Sequence, residues 1–435
     1  MEQRLALPER VLMQIEKPAR YIGNEVNMVR KNLSEVDVRI AMCFPDVYEI
    51  GMSYLGIQIL YDMFNRREDV YCERVYSPWP DLDAIMRKEH IPLFSLETQT
   101  AISEFDWLAI TIQYEMCYTN ILQVIDLAGI PLLAKDRTKE HPIVIGGGPC
   151  TVNPEPMADF FDIFYIGEGE TSYDALLDLY KQYKHSDMSR EDFLRRASSI
   201  PGIYVPSMYE VSYQEDGTIE KVVPKYEDVP AKVKRQVVVD FENVSYPMKP
   251  VVPYIRATQD RVCLEIMRGC IRGCRFCQAG MLYRPLRERD LSMLKDYAEY
   301  FEPYVSPEDE KMLDNYKNKS GVSAPAFCDP TVFIVNTDLA GDIEINGFED
   351  LLNPALKGKI AAGDPVNSSS AFQCLIAGLY GMGHGDPMSE DAWKWAEGLI
   401  ANLDGVSLSS SSQVYKGVAE GEYYVGLTWE DPAAA

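Results

Sequence analysis

The 435-residue chain is short of positive charge: its formal net charge is −25 and its isoelectric point lies near 4.6. Coating nucleic acid or anionic membrane requires a basic surface, so the balance argues against both partners, while a narrow basic RNA channel stays compatible with it. No apolar run reaches membrane-spanning length. Residues 1–25 interleave Glu, Arg and Lys with apolar residues where a secretory leader would carry an apolar core. These absences point to a cytoplasmic protein that engages no membrane. A disulfide framework is not expected either, because ten cysteines that include a tight cluster suit a reducing compartment and metal ligation. Cys43, Cys72, Cys117, Cys328 and Cys374 stand in apolar contexts and read as buried thiols. With 46% hydrophobic residues, the length supports two or three domains with separate cores.

After an N-terminal extension over residues 1–35, residues 36–185 alternate strand and helix. Val38–Phe44 reads as a buried strand, and Tyr54, Ile57, Leu60 and Phe64 recur at helical spacing. Trp107–Ile112 is a second strand, followed by a helix through Ile121, Val124, Ile125 and Ala128. Ile143–Ile145 runs into Gly146, Gly147 and Gly148, and Ile163–Ile166 runs into Gly167-Glu168-Gly169-Glu170. Such alternation implies an α/β fold, a Rossmann-like parallel sheet with helices on both faces. Ligands bind at the carboxyl edge of these sheets, where glycine lets backbone approach a ligand; the same glycines also serve ordinary tight turns. Residues 186–250 read as a hairpin-rich connector, with strands at Tyr209–Tyr213 and Glu220–Val223 around the turn Asp216-Gly217. A proline-punctuated linker then leads to a strand at Arg261–Ile266, which opens the segment 251–290.

The order of these motifs resembles a cobalamin-binding domain of the kind found ahead of radical S-adenosylmethionine (SAM) enzymes. Asp46-Val47-Tyr48-Glu49-Ile50-Gly51 falls where that family often has Asp-x-His-x-x-Gly, with the histidine below the cobalt. Tyr48 holds that place here, so the resemblance implies cobalamin bound without a histidine ligand, or a domain that has lost it. By the same resemblance Asp46, Tyr48, Gly51, Thr111, Gln113 and the Gly146, Gly147, Gly148 loop would line the cofactor.

The chemistry concentrates in Arg268-Gly269-Cys270-Ile271-Arg272-Gly273-Cys274-Arg275-Phe276-Cys277-Gln278-Ala279-Gly280. Three thiolates at Cys-x-x-x-Cys-x-x-Cys spacing leave a metal incompletely ligated, whereas four would complete a four-iron cluster used for electron transfer. A zinc knuckle completed by Cys263 is the alternative. Zinc sites usually show a second cysteine pair or histidines, and neither follows. Arg268, Arg272 and Arg275 suit lowering thiol pKa values, meeting a carboxylate, or plain solvation. The loop resembles the radical SAM signature. The resemblance implies that Cys270, Cys274 and Cys277 hold a 4Fe-4S cluster, that SAM chelates the fourth iron, and that Phe276 lies by the adenine. It implies a 5'-deoxyadenosyl radical as the reactive species, an electron donor such as flavodoxin or ferredoxin, and an unidentified substrate, an RNA or another macromolecule. No side chain is assigned a catalytic role.

A radical SAM domain is a partial (β/α) barrel, so about 200 further residues of strand and helix belong after its first strand. They do not follow. Arg289 is the last arginine of the chain; residues 291–435 hold 8 lysines against 23 acidic residues, a shift expected between unrelated domains. Thr331–Thr337, Phe348–Ile360 and Gly421–Thr428 resemble an extracellular solute-binding protein of the ferric-iron and phosphonate transporter type, which implies a fragment of a periplasmic-binding-protein type II α/β lobe. Asp364–Phe372 opens a helix at the cleft in that family, where free N–H groups and serine hydroxyls suit an anion. Ser409–Ser412 would be a second such edge; each is equally read as a plain N-cap. Tyr423, Trp429 and Glu430 face a ligand or pack. Without an export signal, part of the first lobe or the family's closing helices, this half reads as a fragment. The expectation is a join of two open reading frames near Arg289–Leu291: an enzyme by origin whose catalytic core is incomplete, with an ABC-transporter solute-binding protein as the alternative.

Overall fold

The computed structural model describes residues 5–435 except 245, 262, 264, 290–302, 315–316, 320, 322–329, 367 and 431–435. Packing divides the chain into two compact units, Met1–Ile266 and Met267–Ala435, and each is taken by itself. No helix among the described residues is long and apolar enough to cross a membrane.

The first unit is built on a six-stranded sheet. Its strands are β1 (Val38–Phe44), β2 (Val70–Tyr76), β3 (Trp107–Thr111), β4 (Ile143–Gly147), β5 (Ile163–Tyr165) and β6 (Ile203–Tyr204), in the order β2-β1-β3-β4-β5-β6. The first five run parallel; β6 closes the edge antiparallel, with Phe164 opposite Tyr204. The sheet thus takes in a strand from the segment read as connector. Helices α1 (Leu55–Asn65), α2 (Pro80–Glu89), α3 (Tyr118–Leu127), α4 (Tyr173–Lys184) and α5 (Arg190–Ala197) complete the unit. Each begins and ends for local reasons. In α2, Pro80 supplies the fixed φ of a first helical turn, Asp81 and Asp83 favour its N-terminus, Arg87 and Lys88 its C-terminus, and His90 takes the left-handed stop at φ 56°. In α5, Ser189 accepts a cap hydrogen bond from the Asp192 N–H.

Strand β2 is absent from the sequence expectation, because Glu73 and Arg74 sit in its middle. All seven of its residues are nevertheless buried, since both charges meet partners inside the unit. The hairpin β7 (Tyr209–Tyr213) and β8 (Ile219–Pro224) forms as expected around Asp216-Gly217. The strand expected at Arg261–Ile266 does not form among its described residues, and Val262 and Leu264 lie outside them. A first barrel strand is held by parallel neighbours, and no described strand pairs with this segment. Pairing starts only at β9 (Met267–Arg268), which runs antiparallel to β10 (Arg287–Glu288).

The second unit carries β11 (Thr331–Val335), β12 (Ile360–Ala361) and β13 (Val425–Trp429) in the order β11-β13-β12, antiparallel and then parallel. Helices α6 (Ser369–Met382), α7 (Glu390–Asn402) and α8 (Ser411–Ala419) join them. Leu351, Leu356, Ile360, Trp395, Leu399, Val425 and Leu427 form the core. A methyl group on Gly378 would lie 2.1 Å from the Trp395 ring, so glycine in α6 is what admits that indole. Cys43, Cys72, Cys117 and Cys374 are buried thiols, as expected. Cys328, Leu291 and Asn367 lie outside the described residues.

Candidate functional site

The cysteine loop is closed at its base by β9 and β10 and held by two close approaches. Gly269, at φ +96°, has the Tyr283 and Pro285 carbonyl oxygens where a Cβ would stand, each 2.3 Å from it, and Gly280 abuts the Arg272 carbonyl at 2.2 Å. Any larger residue at either position would open the loop. Cys277 N–H donates to the Cys274 carbonyl at 3.1 Å, which turns the chain into a single helical turn at Ala279–Leu282. Cys270, Cys274 and Cys277 are half-buried, while Phe276 is 75% and Ile271 68% exposed.

The donor set suits an iron–sulfur cluster chemically, but its placement does not. Among the described residues, no group of three His, Cys, Asp or Glu side chains converges on a point where a metal ion could sit. Cys263, the fourth ligand of the zinc alternative, is exposed. Phe276 stands in solvent. As folded here, the loop does not fit the group its spacing implies.

At the carboxyl edge of the sheet, the order of the strands puts the topological switch between β1 and β3. Asp46, after β1, lies there, and its Oδ2 accepts a hydrogen bond from the Tyr114 hydroxyl, after β3, at 2.8 Å. That bond to a carboxylate, with partial burial, pushes the Tyr114 phenol up to about 12. Tyr48 turns the other way. It is 1% exposed, its hydroxyl donates to Glu25 Oε1 at 3.0 Å, and its ring meets Tyr76 edge-on at 5.4 Å.

The glycines of this edge are accounted for by packing. A Cβ on Gly51 would stand 2.1 Å from the Tyr76 ring, and one on Gly146 would stand 2.8 Å from Phe164. Gly148, at φ +99°, would meet the Ile112 carbonyl at 2.8 Å. Gly147 is looser, its nearest neighbour being the Tyr173 hydroxyl at 3.8 Å. Thr111 is buried and accepts a hydrogen bond from the Gln113 amide. The structure therefore places Asp46 at the switch point and turns Tyr48 into the core.

Sequence reasoning missed a buried ion cluster beside this edge. Arg74 of β2 donates through Nη2 to Glu25 Oε2 at 2.8 Å and through Nε to Glu97 Oε1 at 2.6 Å, and its backbone N–H reaches Glu97 Oε2 at 2.6 Å. All three side chains are at most 2% exposed. Burial pushes the Glu97 carboxyl up to about 7 against the pull of Arg74. Burial acts on Glu25 too, but there the Arg74 charge and its hydrogen bonds prevail and hold it below the usual carboxylate range. On the neighbouring position Glu73 is enclosed by Arg39, Ser95 and Thr98. Residues 25, 74 and 97 share no local spacing; the only signal in the sequence is a Glu-Arg pair inside Val70–Tyr76.

In the second unit the two serine-rich segments are brought side by side. Gly363 and Leu408 bridge in parallel, with Asp364 N–H donating to the Leu408 carbonyl at 2.8 Å. Ser368 caps α6 by accepting from the Ala371 N–H at 3.3 Å, and its hydroxyl meets that of Ser370 at 2.9 Å. Before α8, Ser409 donates through N–H and hydroxyl to Gln413 Oε1, both at 3.0 Å. Tyr423 packs on Gly417, where a Cβ would lie 3.0 Å from its ring.

Comparison with known proteins separates the same two parts. Residues 56–206 match the family of radical SAM proteins, N-terminal, and residues 293–430 match bacterial extracellular solute-binding proteins. An uncharacterized protein of Methanocaldococcus jannaschii is 27% identical over 293 residues, 67% of this chain and 50% of that protein. The chain therefore spans about half the length of the curated relative it matches. Among solved structures, the periplasmic binding protein AfuA from Actinobacillus pleuropneumoniae is 24% identical over 32% of this chain and 44% of its own, with a TM-score of 0.23. A structure described as a two-component system protein mediating signal transduction is 34% identical over the same shares, also with a TM-score of 0.23. The front of the chain resembles a radical SAM protein and the back a piece of a solute-binding protein, which is the make-up of a chimera.

Proposed function

We propose that the front part of this chain derives from a cytoplasmic radical SAM iron–sulfur protein. In that parent, Cys270, Cys274 and Cys277 would ligate a 4Fe-4S cluster, SAM would bind beside Phe276, and the radical formed from it would act on an unidentified substrate. The observation that carries the reading is the Cys-x-x-x-Cys-x-x-Cys spacing, placed behind a segment that matches the N-terminal domain of radical SAM proteins. The protein supplies placement and dryness in such chemistry, while the cofactor performs it. An electron donor of the flavodoxin or ferredoxin kind belongs to the same reading. Cobalamin, if taken up, would have no ligand from Tyr48, whose hydroxyl is engaged by Glu25.

We infer further that this chain does not turn over, because its three thiols do not converge and, among the described residues, no strands and helices of a barrel cover its loop. Anaerobic reconstitution with iron and sulfide, followed by addition of SAM and a reductant, tests this. Iron well below one cluster per chain and no 5'-deoxyadenosine above background are expected; a robust yield would overturn the inference. The join itself is proposed to be artificial, and continuous single-molecule DNA reads across codons 285 to 295 would overturn that.

A second reading rests on the two serine-rich helix starts set side by side at the Gly363 and Leu408 bridge. They favour an anion in the manner of helix N-termini, which fits a solute-binding protein for iron or a phosphonate-like anion. Calorimetric titration with phosphate and phosphonate decides it: saturable heat supports this reading, and its absence removes it.

A further inference from the structure

A cavity lies at the carboxyl end of β2, beside the buried ion cluster of the first unit. Met52, Tyr61, Arg74 and Tyr76 line it at depth, and Pro250 and the exposed Lys249 line it toward solvent. The segment carrying these last two is pinned by Val252 N–H on the Val26 carbonyl at 3.0 Å and by Asn27 Nδ2 on the Pro250 carbonyl at 2.9 Å. The free space is about 30 Å³, room for about two water-sized molecules. Met52 Sδ accepts hydrogen bonds there from Arg74 Nη1 and from the Tyr76 hydroxyl, each at 3.1 Å. Met52 is 5% exposed, and both donors are buried with it. A thioether is a weak acceptor, whereas a guanidinium and a phenol are strong donors, so the pair is matched to more acceptor strength than the sulfur supplies. The bonds of Arg74 to Glu25 and Glu97 hold its guanidinium in this place.

A sulfoxide oxygen supplies that strength. Oxidation of a buried methionine ordinarily disrupts a core, because a polar oxygen enters where nothing meets it. At Met52 one cationic and one phenolic donor already stand at the sulfur, and the cavity beside it has room for the added atom. We propose that Met52 is an oxidation site for hydrogen peroxide, with Arg74 and Tyr76 holding the oxygen of its sulfoxide. Peroxide, with two heavy atoms, fits the cavity, and bulkier oxidants do not. A sulfur lone pair attacks one peroxide oxygen, the S–O bond forms and the O–O bond breaks. The proton on the transferred oxygen passes to the departing hydroxide, so the sulfur is oxidised by two electrons and the peroxide leaves reduced to water. The flexible methionine stem takes up the shift as the oxygen comes between sulfur and donor. The inference goes beyond the radical SAM reading and requires neither cluster nor SAM.

The test treats the full chain, metal-free, with hydrogen peroxide and follows each methionine by peptide mass spectrometry. Met13 and Met116, at 81% and 86% exposure, should oxidise first. Met52 should come next, ahead of Met42, Met86, Met157 and Met208, which are at most 4% exposed. Oxidation of Met52 no faster than of those four overturns the proposal. Stability gives a second readout. Met52→Leu conserves volume and removes the sulfur, so it reports what oxidation does at every other residue, cysteines included. On oxidation the parent's thermal midpoint should fall no further than that of Met52→Leu; a larger fall overturns the proposal. Tyr76→Phe keeps the ring and removes one donor. Oxidation should lower its midpoint by about 2–4 °C more than the parent's, the worth of one hydrogen bond in a unit of this size, and no extra loss overturns the proposal. Each variant is compared with its own unoxidised form, and the mass-spectrometric readout needs no variant.

Discussion

Arg74 joins three segments distant in sequence, so its removal is the sharpest test of how the first unit is held together. In Arg74→Met the aliphatic volume is kept while the charge disappears, leaving Glu25 and Glu97 buried with no cation between them. Breaking a buried ion pair from one side costs about 3–5 kcal/mol, because the remaining charge stays out of water. For a unit of this size each kcal/mol lowers the thermal midpoint by about 2–4 °C, so a fall of roughly 6–20 °C is expected. The assay is thermal unfolding of the full chain, with amide hydrogen exchange assigning the transition to the first unit. Adding Glu25→Gln and Glu97→Gln should recover most of the loss, since neutral amides carry no charge to desolvate. The sign with pH follows from linkage. Without Arg74 both carboxyls have folded pKa values above their unfolded ones, so stability rises as pH falls through the folded values toward about 4.5. In the parent chain, Glu97 at about 7 already behaves this way: its contribution is full below its unfolded pKa and is lost as pH rises to about 7. Glu25, lowered, works oppositely: its contribution is present above its unfolded pKa and is lost as pH falls through its folded value. A loss under about 1 kcal/mol in Arg74→Met, or a triple variant no more stable than the single one, would refute the reasoning.

Gly51→Ala should lower the thermal midpoint of the first unit, because the new methyl must displace a Tyr76 ring standing 2.1 Å from it, at a cost of about 1–3 kcal/mol. Trp395→Phe removes the indole hydrogen bond to the Phe348 carbonyl at 2.7 Å and should destabilise the second unit by about 2 kcal/mol. Hydrogen exchange should show that loss in Phe348–Leu352 and α7 and leave β1–β5 unchanged. Asp46→Asn should bring the ionisation of Tyr114 down from about 12 toward the ordinary phenol value, read by ultraviolet titration against Tyr114→Phe. An unshifted phenol would mean that the two side chains do not meet at the switch point.

What was legible in the chain followed from local pattern. Val38–Phe44 and Trp107–Thr111 are apolar runs bounded by turns, and such runs become central strands wherever a core needs them. The loop Arg268–Gly280 stood out because three cysteines at Cys-x-x-x-Cys-x-x-Cys spacing form a local pattern, while their convergence depends on residues from elsewhere. Val70–Tyr76 was not, because a charged pair in a strand reads as a surface, and only Glu25, Glu97 and Arg39, contributed from elsewhere in the chain, make it an interior. Gly51 after β1 and Gly146 near the end of β4 fit a cofactor edge and a packed edge equally well in sequence; the Tyr76 and Phe164 rings that crowd them come from other strands. Tyr48 shows the same limit, since nothing near it in sequence announces Glu25 as its partner.

The fate of the cysteine loop follows from this dependence on distant partners. Spacing places three thiols within reach of one another, but convergence on a cluster requires the loop to be pressed from outside by the strands and helices of a barrel. The described residues from Met267 onward instead form a unit whose core is Leu351, Leu356, Trp395, Leu399 and Val425, all from the segment similar to solute-binding proteins. None of the loop's own apolar residues belongs to that core, and Ile271, Phe276 and Met281 are exposed. Among the described residues no hydrophobic core cluster includes the loop, yet β9, β10, Gly269 and Gly280 still hold its backbone closed. Backbone closure and side-chain convergence are thus separate requirements: neighbouring residues meet the first, and the second depends on segments packed against the loop from elsewhere.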